Sequence, residues 1–150
     1  MIRNLVQRVR WHVAVLVAAC LLSGTLTPSL ATSFVVDDFV EIQKEQAAKT
    51  LPDLVKAHPT SKFLTSGFGT PSGKWTIIRV AGKDACDGEF CITVIAHEKV
   101  QWKVMVKAAQ RIEGSLSLER GETIQLELIS PKGKIVVRHI GSDRIVYIVQ

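Results

Sequence analysis

The sequence predicts an α+β domain that is mainly β. From Trp75 onward, apolar and polar residues alternate with the period of two that is typical of strands with one face on a core. Residues 32–58 instead carry good helix formers, with acids near the expected helix start. Because the links between successive strands are short, we expect an N-terminal helix packed on a curved antiparallel meander sheet or small barrel of about seven strands. A two-sheet β-sandwich is the alternative.

Residues 1–31 have the parts of a secretory signal peptide. A basic start with three arginines precedes an almost wholly apolar stretch at residues 12–22, and the small residues Ser29 and Ala31 suit signal peptidase. The apolar stretch is shorter than the roughly 20 residues that span a bilayer. We therefore expect cleavage after Ala31 and an exported protein, periplasmic or secreted, with no membrane attachment afterwards.

A second interpretation of this segment involves Cys20. Val17, Ala18, Ala19 and Cys20 resemble a lipoprotein processing site, in which Cys20 would become the lipid-bearing first residue. The apolar core continues beyond Cys20 instead of opening into a polar tether, which favours simple cleavage. In the alternative, the protein is lipid-anchored to the envelope.

Charge argues against one broad class of partner. The chain has 19 Lys and Arg against 14 Asp and Glu, and three of the arginines belong to the predicted signal peptide. Residues 32–150 keep 16 positive against 14 negative side chains, which is nearly balanced. Because no basic run and no interleaved basic and aromatic stripe occurs, the sequence does not predict nucleic-acid binding.

The segment 32–58 is predicted to be helical. Asp37 or Asp38 suits the cap of a helix through residues 39–49, whose interior contains strong helix formers. Pro52 suits the first turn of a second short helix, because its missing N–H has no helical partner there. We expect this segment to cover one face of the sheet.

Residues 59–74 are predicted to form a loop, because Gly, Pro, Ser and Thr dominate their composition. The stretch from Gly69 to Lys74 has a faint similarity to a phosphate loop. Its spacing is one residue short of G-x-x-x-x-G-K, and Trp75 stands where Ser or Thr would bind magnesium. We therefore expect a flexible connector here and no nucleotide site.

The sequence around Cys86 and Cys91 predicts a β-hairpin over residues 75–97, closed by a disulfide. Asp87 and Gly88 favour a tight turn, and β-branched residues flank it on both sides. Removing the signal peptide leaves these two cysteines as a pair, which an oxidising compartment would join. The bridge is expected to stabilise the fold by about 2 kcal/mol and to fix the register of the hairpin.

Residues 75–150 are predicted to form one antiparallel β domain. Strands with one polar and one apolar face are expected near residues 100–108, 112–119 and 123–128. Four runs are apolar on both sides and should be covered on both faces: residues 77–78, 92–96, 135–137 and 145–149. Turns are expected near residues 97–99, 120–121, 131–133 and 141–143.

The search for reaction chemistry finds no established catalytic motif. His97 and His139 are the candidates for an unfamiliar site, so a small periplasmic hydrolase is the alternative function. The spacing of Cys86 and Cys91 is loose for zinc ligands and no second cysteine pair exists. The sequence therefore predicts neither a metal nor a cofactor.

The predicted contact surface is the acidic loop that carries the disulfide, and the loop at residues 60–74 is the alternative. Asp84, Asp87 and Glu89 cluster there beside Phe90, and such a rigid acidic tip suits a basic partner. We therefore expect an exported, non-catalytic binding or accessory protein. The sequence does not identify its partner, whether a protein or an envelope ligand.

Overall fold

The computed structural model describes residues 31–140 and 144–149. The predicted signal peptide up to residue 30, Cys20 and the turn at residues 141–143 lie outside the described residues. The described part contains, in chain order, β1 (Thr32–Val36), β2 (Val40–Ile42), α1 (Lys44–Thr50), α2 (Pro52–Ala57), β3 (Lys62–Thr70), β4 (Gly73–Ala81), β5 (Cys86–Asp87), β6 (Phe90–His97), β7 (Val100–Ala108), β8 (Ile112–Ser117), β9 (Thr123–Ser130), β10 (Gly133–Ile140) and β11 (Arg144–Val149).

The strands form two antiparallel sheets, so the prediction of a mainly β protein is confirmed. One sheet has the order β1-β8-β9-β10-β11. The other has the order β2-β3-β4-β6, with β5 and β7 both pairing with β6. The described strands do not close into a barrel. The single seven-stranded meander or barrel is therefore wrong, and the two-sheet alternative describes the arrangement.

The main core lies between the two sheets. Trp75, Ile77 and Ile95 of the second sheet are fully buried against residues of the first sheet. The residues that the first sheet contributes alternate along its strands: Ile112, Ile124, Leu126, Leu128, Ile135 and Val137. Because side chains of a strand point alternately to its two faces, this pattern places one face of each sheet in a shared interior.

A second apolar cluster lies on the outer face of the second sheet. Phe63, Val80 and Val94 are buried there under Ala47 of α1 and Leu51, which links α1 to α2. Two short helices therefore cover β4 and β6 on the side away from the main core.

Among the described residues, no helix is long and apolar enough to cross a bilayer.

The helix predicted through residues 39–49 is wrong over its first half. Val40–Ile42 forms β2, whose residues pair with residues 63–65 of β3, and α1 begins only at Lys44. Its N-cap is Gln43, so neither predicted aspartate caps the helix. β-branched Val40 and Ile42 suit a strand, and pairing with a neighbouring strand outweighs the modest helix propensity of this stretch.

The loop predicted for residues 59–74 is also wrong. Lys62–Thr70 forms β3, which pairs along its whole length with β4. A Cβ atom at Gly67 would lie 2.5 Å from the carbonyl oxygen of Trp75, so glycine here permits a close approach of two strands. A turn follows at Pro71 and Ser72, and Gly73 has a φ of 147°, which favours glycine.

Candidate functional site

The predicted hairpin is present, and its turn projects from the second sheet. Strands β4 and β6 pair from Trp75 opposite His97 to Val80 opposite Ile92. At the turn, Cys86 faces Cys91 with their Cα atoms 3.9 Å apart and their sulfurs bonded. Gly88 takes a φ of 61°, the conformation expected of glycine in this tight turn. We call residues 87–90 the stapled tip.

Arg79 fixes the stapled tip from inside the protein. The residue is only 4% exposed, although it is charged and lies between the apolar residues Ile78 and Val80. Nη1 donates to the carbonyl oxygen of Ala108 at 2.8 Å and Nη2 donates to that of Glu89 at 2.7 Å. Burial lowers the pKa of Arg79. The side chain thus joins the tip to the end of β7 through two charge-assisted hydrogen bonds.

Asp84 does not belong to the exposed tip. Its carboxylate accepts a hydrogen bond of 2.7 Å from the Ser61 hydroxyl and lies 3.0 Å from His58 Nδ1. These hydrogen bonds, that of Ser61 first, lower the pKa of Asp84. A Cβ at Gly82 would lie 2.1 Å from Ser61 Oγ, so the two segments approach closely. Asp84 therefore anchors the base of the loop to the segment after α2.

The other three predicted site residues do lie together on the tip. Asp87 and Glu89 are exposed, and Phe90 is half-buried beside them. Neither carboxylate forms an ion pair or hydrogen bond with its side chain to any residue in the described part of the chain. The turn therefore presents two solvated negative charges and an aromatic ring on a backbone that is fixed by the disulfide and by Arg79.

The two histidines proposed for a hydrolase site also lie together, but inside the protein. His97 is 5% exposed and His139 is 1% exposed, and their rings stack with centroids 5.7 Å apart. Trp75 packs edge-on against both, with centroid distances of 5.0 and 5.3 Å. The histidines come from different sheets, so this cluster joins the sheets at one end of the sandwich.

A carboxylate that the sequence analysis missed completes this polar cluster. Glu122 accepts hydrogen bonds from the hydroxyl of Thr70 and the backbone N–H of Ser72, each 2.7 Å long, and a short one from the Ser72 hydroxyl. Burial alone would raise the pKa of Glu122, but these hydrogen bonds outweigh burial and the pKa is lowered. Ser72 Oγ also lies 3.4 Å from His97 Nε2.

The arrangement of Ser72, His97 and Glu122 differs from a nucleophilic relay. In such a relay the histidine lies between the serine and the acid and takes the serine proton. Here the backbone N–H of Lys99 donates to His97 Nδ1, so a neutral ring carries its proton on Nε2, facing Ser72. The serine hydroxyl then donates to Glu122 directly. The cluster thus ties the β3–β4 turn to the segment before β9.

The cluster at the base of the tip differs from a relay in the same way. Asp84 lies between Ser61 and His58, and Ser61 is only 1% exposed. The serine proton therefore points to the carboxylate instead of to a histidine base. Within the described residues, no group of three His, Cys, Asp or Glu side chains is arranged to hold a metal ion.

Sequence reasoning missed Arg79, Ser72 and Glu122. One signal was present for Arg79, because a single charged residue between Ile78 and Val80 interrupts a run that is apolar on both sides. No local pattern links Ser72 with Glu122, which is 50 residues away along the chain.

Comparisons with protein-family models, with curated proteins and with solved structures found no match to this chain.

Proposed function

We propose that this chain is an exported, non-catalytic binding protein that contacts a basic surface of a protein partner through the stapled tip. The observation that carries the proposal is the combination of two exposed carboxylates, Asp87 and Glu89, with a backbone held at three points. The disulfide closes the turn, Arg79 holds the Glu89 carbonyl, and Ile92 N–H donates to the Ala85 carbonyl at 3.0 Å.

Rigidity is what makes this turn a better contact than an ordinary solvated loop. A loop that is already ordered loses little conformational entropy on binding, so more of the interaction energy appears as affinity. Two like charges on the same turn, separated only by Gly88, also steer an oppositely charged partner during encounter. Phe90 adds an apolar contact surface beside the two charges. The carboxylates alone would not provide one.

Export is the second part of the proposal. It is supported by the signal-like composition of residues 1–31 and by the pairing of the two remaining cysteines. The partner would then be a protein of the periplasm or of the cell exterior. Attachment through a lipid on Cys20 remains the alternative route to the envelope.

The test compares two double variants that change net charge equally. D87N/E89Q neutralises the tip, and E45Q/E119Q neutralises two exposed carboxylates elsewhere. Each is produced in the native host, crosslinked mildly in intact cells and purified from the envelope and soluble exported fractions. We expect the tip variant to lose a crosslinked partner that wild type and E45Q/E119Q retain. Retention of every partner by D87N/E89Q and by F90A would contradict the proposal.

A further inference from the structure

A second surface, separate from the stapled tip, lies where the two sheets meet at one edge of the sandwich. An apolar groove of about 390 Å³ runs between β1 and β3. We call it the edge groove. Its wall on the first sheet is β1 with Leu116 of β8, and its wall on the second sheet is residues 66–70 of β3.

Within residues 31–140 and 144–149, neither strand that forms a wall of the edge groove has a neighbouring strand on the groove side. Among the described strands, β1 pairs only with β8. β2 covers only residues 63–65 of β3 and leaves residues 66–70 uncovered. Along such an edge, about every second residue points its backbone N–H and C=O away from the sheet. The groove therefore offers backbone hydrogen-bonding groups along five residues of β3.

The floor of the groove is aromatic. The rings of Phe34 and Phe68 have centroids 4.7 Å apart, and both are half-buried against the main core. Gly67 and Gly69 stand on either side of Phe68. Because side chains of a strand alternate between its two faces, Ser66 and Thr70 lie on the same face of β3 as Phe68, and both line the groove. An apolar side chain of a ligand that enters beside Ser66 would contact the two rings.

The charged residues that line the groove are acidic. Asp37 and Asp38 lie among its lining residues, both exposed, and the described lining contains no Lys or Arg. Neither side chain forms an ion pair within the part of the chain that the structure describes. Because the chain crosses here from β1 to β2, the two acids lie at the end of the groove that β2 closes. Thr32 and Thr70 line the opposite end.

We infer that the edge groove binds an extended peptide segment of a partner protein, which adds as a strand to residues 66–70 of β3. About five residues fit, because the uncovered part of β3 is five residues long and a paired strand has the same rise of about 3.3 Å per residue. One apolar side chain packs against the rings of Phe34 and Phe68, and a Lys or Arg at the closed end meets Asp37 and Asp38. Strand addition gives affinity through the backbone and specificity through alternate side chains.

An extended peptide fits these observations better than an acyl chain does. A hydrocarbon would use the two rings but would leave the unpaired backbone groups of β3 without partners. It would also gain nothing from the two carboxylates, which repel the anionic head of a fatty acid. The inference does not depend on the stapled tip, because the tip and the edge groove share no residue.

The test uses a phage library of random heptapeptides and protein expressed from the full 150-residue sequence. Selection is on wild type, and every enriched peptide is then measured against S66L, which adds a bulky side chain beside Phe68 on the groove side of β3. K107L is the matched control, since it adds the same side chain at an exposed strand position outside the groove. Thermal unfolding checks that both variants fold.

The expected peptides carry alternating apolar residues and a Lys or Arg at one end. They bind wild type and K107L equally and S66L at least tenfold more weakly, and D37N/D38N weakens them about fivefold. Amide exchange at residues 66–70 slows when they bind. The inference is overturned if no enriched peptide distinguishes wild type from S66L. It is equally overturned if the peptides bind without protecting those amides, or if laurate displaces them fully.

Discussion

The Arg79 guanidinium donates a 2.7 Å hydrogen bond to the Glu89 carbonyl oxygen, so a side chain buried between the sheets holds an exposed turn. No carboxylate of the described residues hydrogen-bonds to this guanidinium. Its described partners are two carbonyl oxygens, on the tip and on β7. The charge of Arg79 is therefore stabilised by backbone dipoles, and the tip becomes part of the rigid body of the protein.

Replacing Arg79 should loosen the tip. We expect R79M to lower the free energy of unfolding by about 1–3 kcal/mol, because the buried carbonyl oxygen of Ala108 and the partly buried one of Glu89 lose a charged donor. R79K, which reaches one carbonyl at a time, should fall between R79M and wild type. Urea unfolding measures the loss, and amide exchange should quicken at Gly88 and Glu89. Unchanged exchange at the tip in R79M would contradict the role of this side chain.

Removing the disulfide should weaken the fold without changing it. C86A/C91A is expected to lose about 2 kcal/mol of stability, since a ring of this size restricts the unfolded chain only modestly. The β-sheet signal in far-ultraviolet circular dichroism should persist, because both sheets have cores that do not involve the bridge. A C86A/C91A protein that fails to fold would contradict this estimate.

Two neighbouring glycines provide a direct test of β3. G67A should destabilise the protein by about 1–3 kcal/mol, because the added methyl group would lie 2.5 Å from the Trp75 carbonyl oxygen. G69A adds the same group in open space and should leave stability within about 0.5 kcal/mol of wild type. Thermal or urea unfolding of the two variants decides the matter. Equal stabilities would mean that residues 62–70 do not pair closely with β4.

The contrast between β3 and the hairpin explains how much the sequence could predict. The hairpin at residues 75–97 was recognisable because its β-branched residues, its Asp-Gly turn and its cysteines are local signals. β3 could not be recognised from its composition. Gly67 is needed because β4 approaches closely there, but a glycine in a sequence is usually a sign of a loop. Strand β2 was hidden because its pairing partner lies more than 20 residues further along the chain.

The site shows the same division. Exposure of Asp87 and Glu89 follows from their place in a tight turn, so it could be predicted. The separate role of Asp84 depends on Ser61 and His58. Strands β3 and β4 separate these residues from Asp84 along the chain, and only folding brings them together. The contact between Ser72 and Glu122 likewise joins turns of different sheets. Such pairs leave no periodic trace in one sequence.

Glu122 should make the stability of the protein sensitive to acid. Its pKa is lower in the folded protein than in the unfolded chain, so its contribution is fully present above the unfolded pKa of about 4.3. That contribution is lost as pH falls through the lower, folded pKa. We therefore expect wild type to exceed E122Q in stability at pH 7 and the difference to shrink towards pH 3.

The control for this experiment is E119Q, whose carboxylate is exposed and close by in the chain. Its difference from wild type should stay small at every pH. Urea midpoints at pH 7, 5, 4 and 3 suffice for all three proteins. A gap between wild type and E122Q that is constant across this range would show that Glu122 does not titrate with a lowered pKa.

The central claim is that this chain is exported and that its two remaining thiols then close the stapled tip. Intact-mass spectrometry of the protein isolated from the native host tests both parts at once. The account predicts a chain that starts at Thr32, with a mass two hydrogens below that of the reduced form. A chain that keeps residues 1–31, a lipid on Cys20, or two reduced cysteines at 86 and 91 would contradict it.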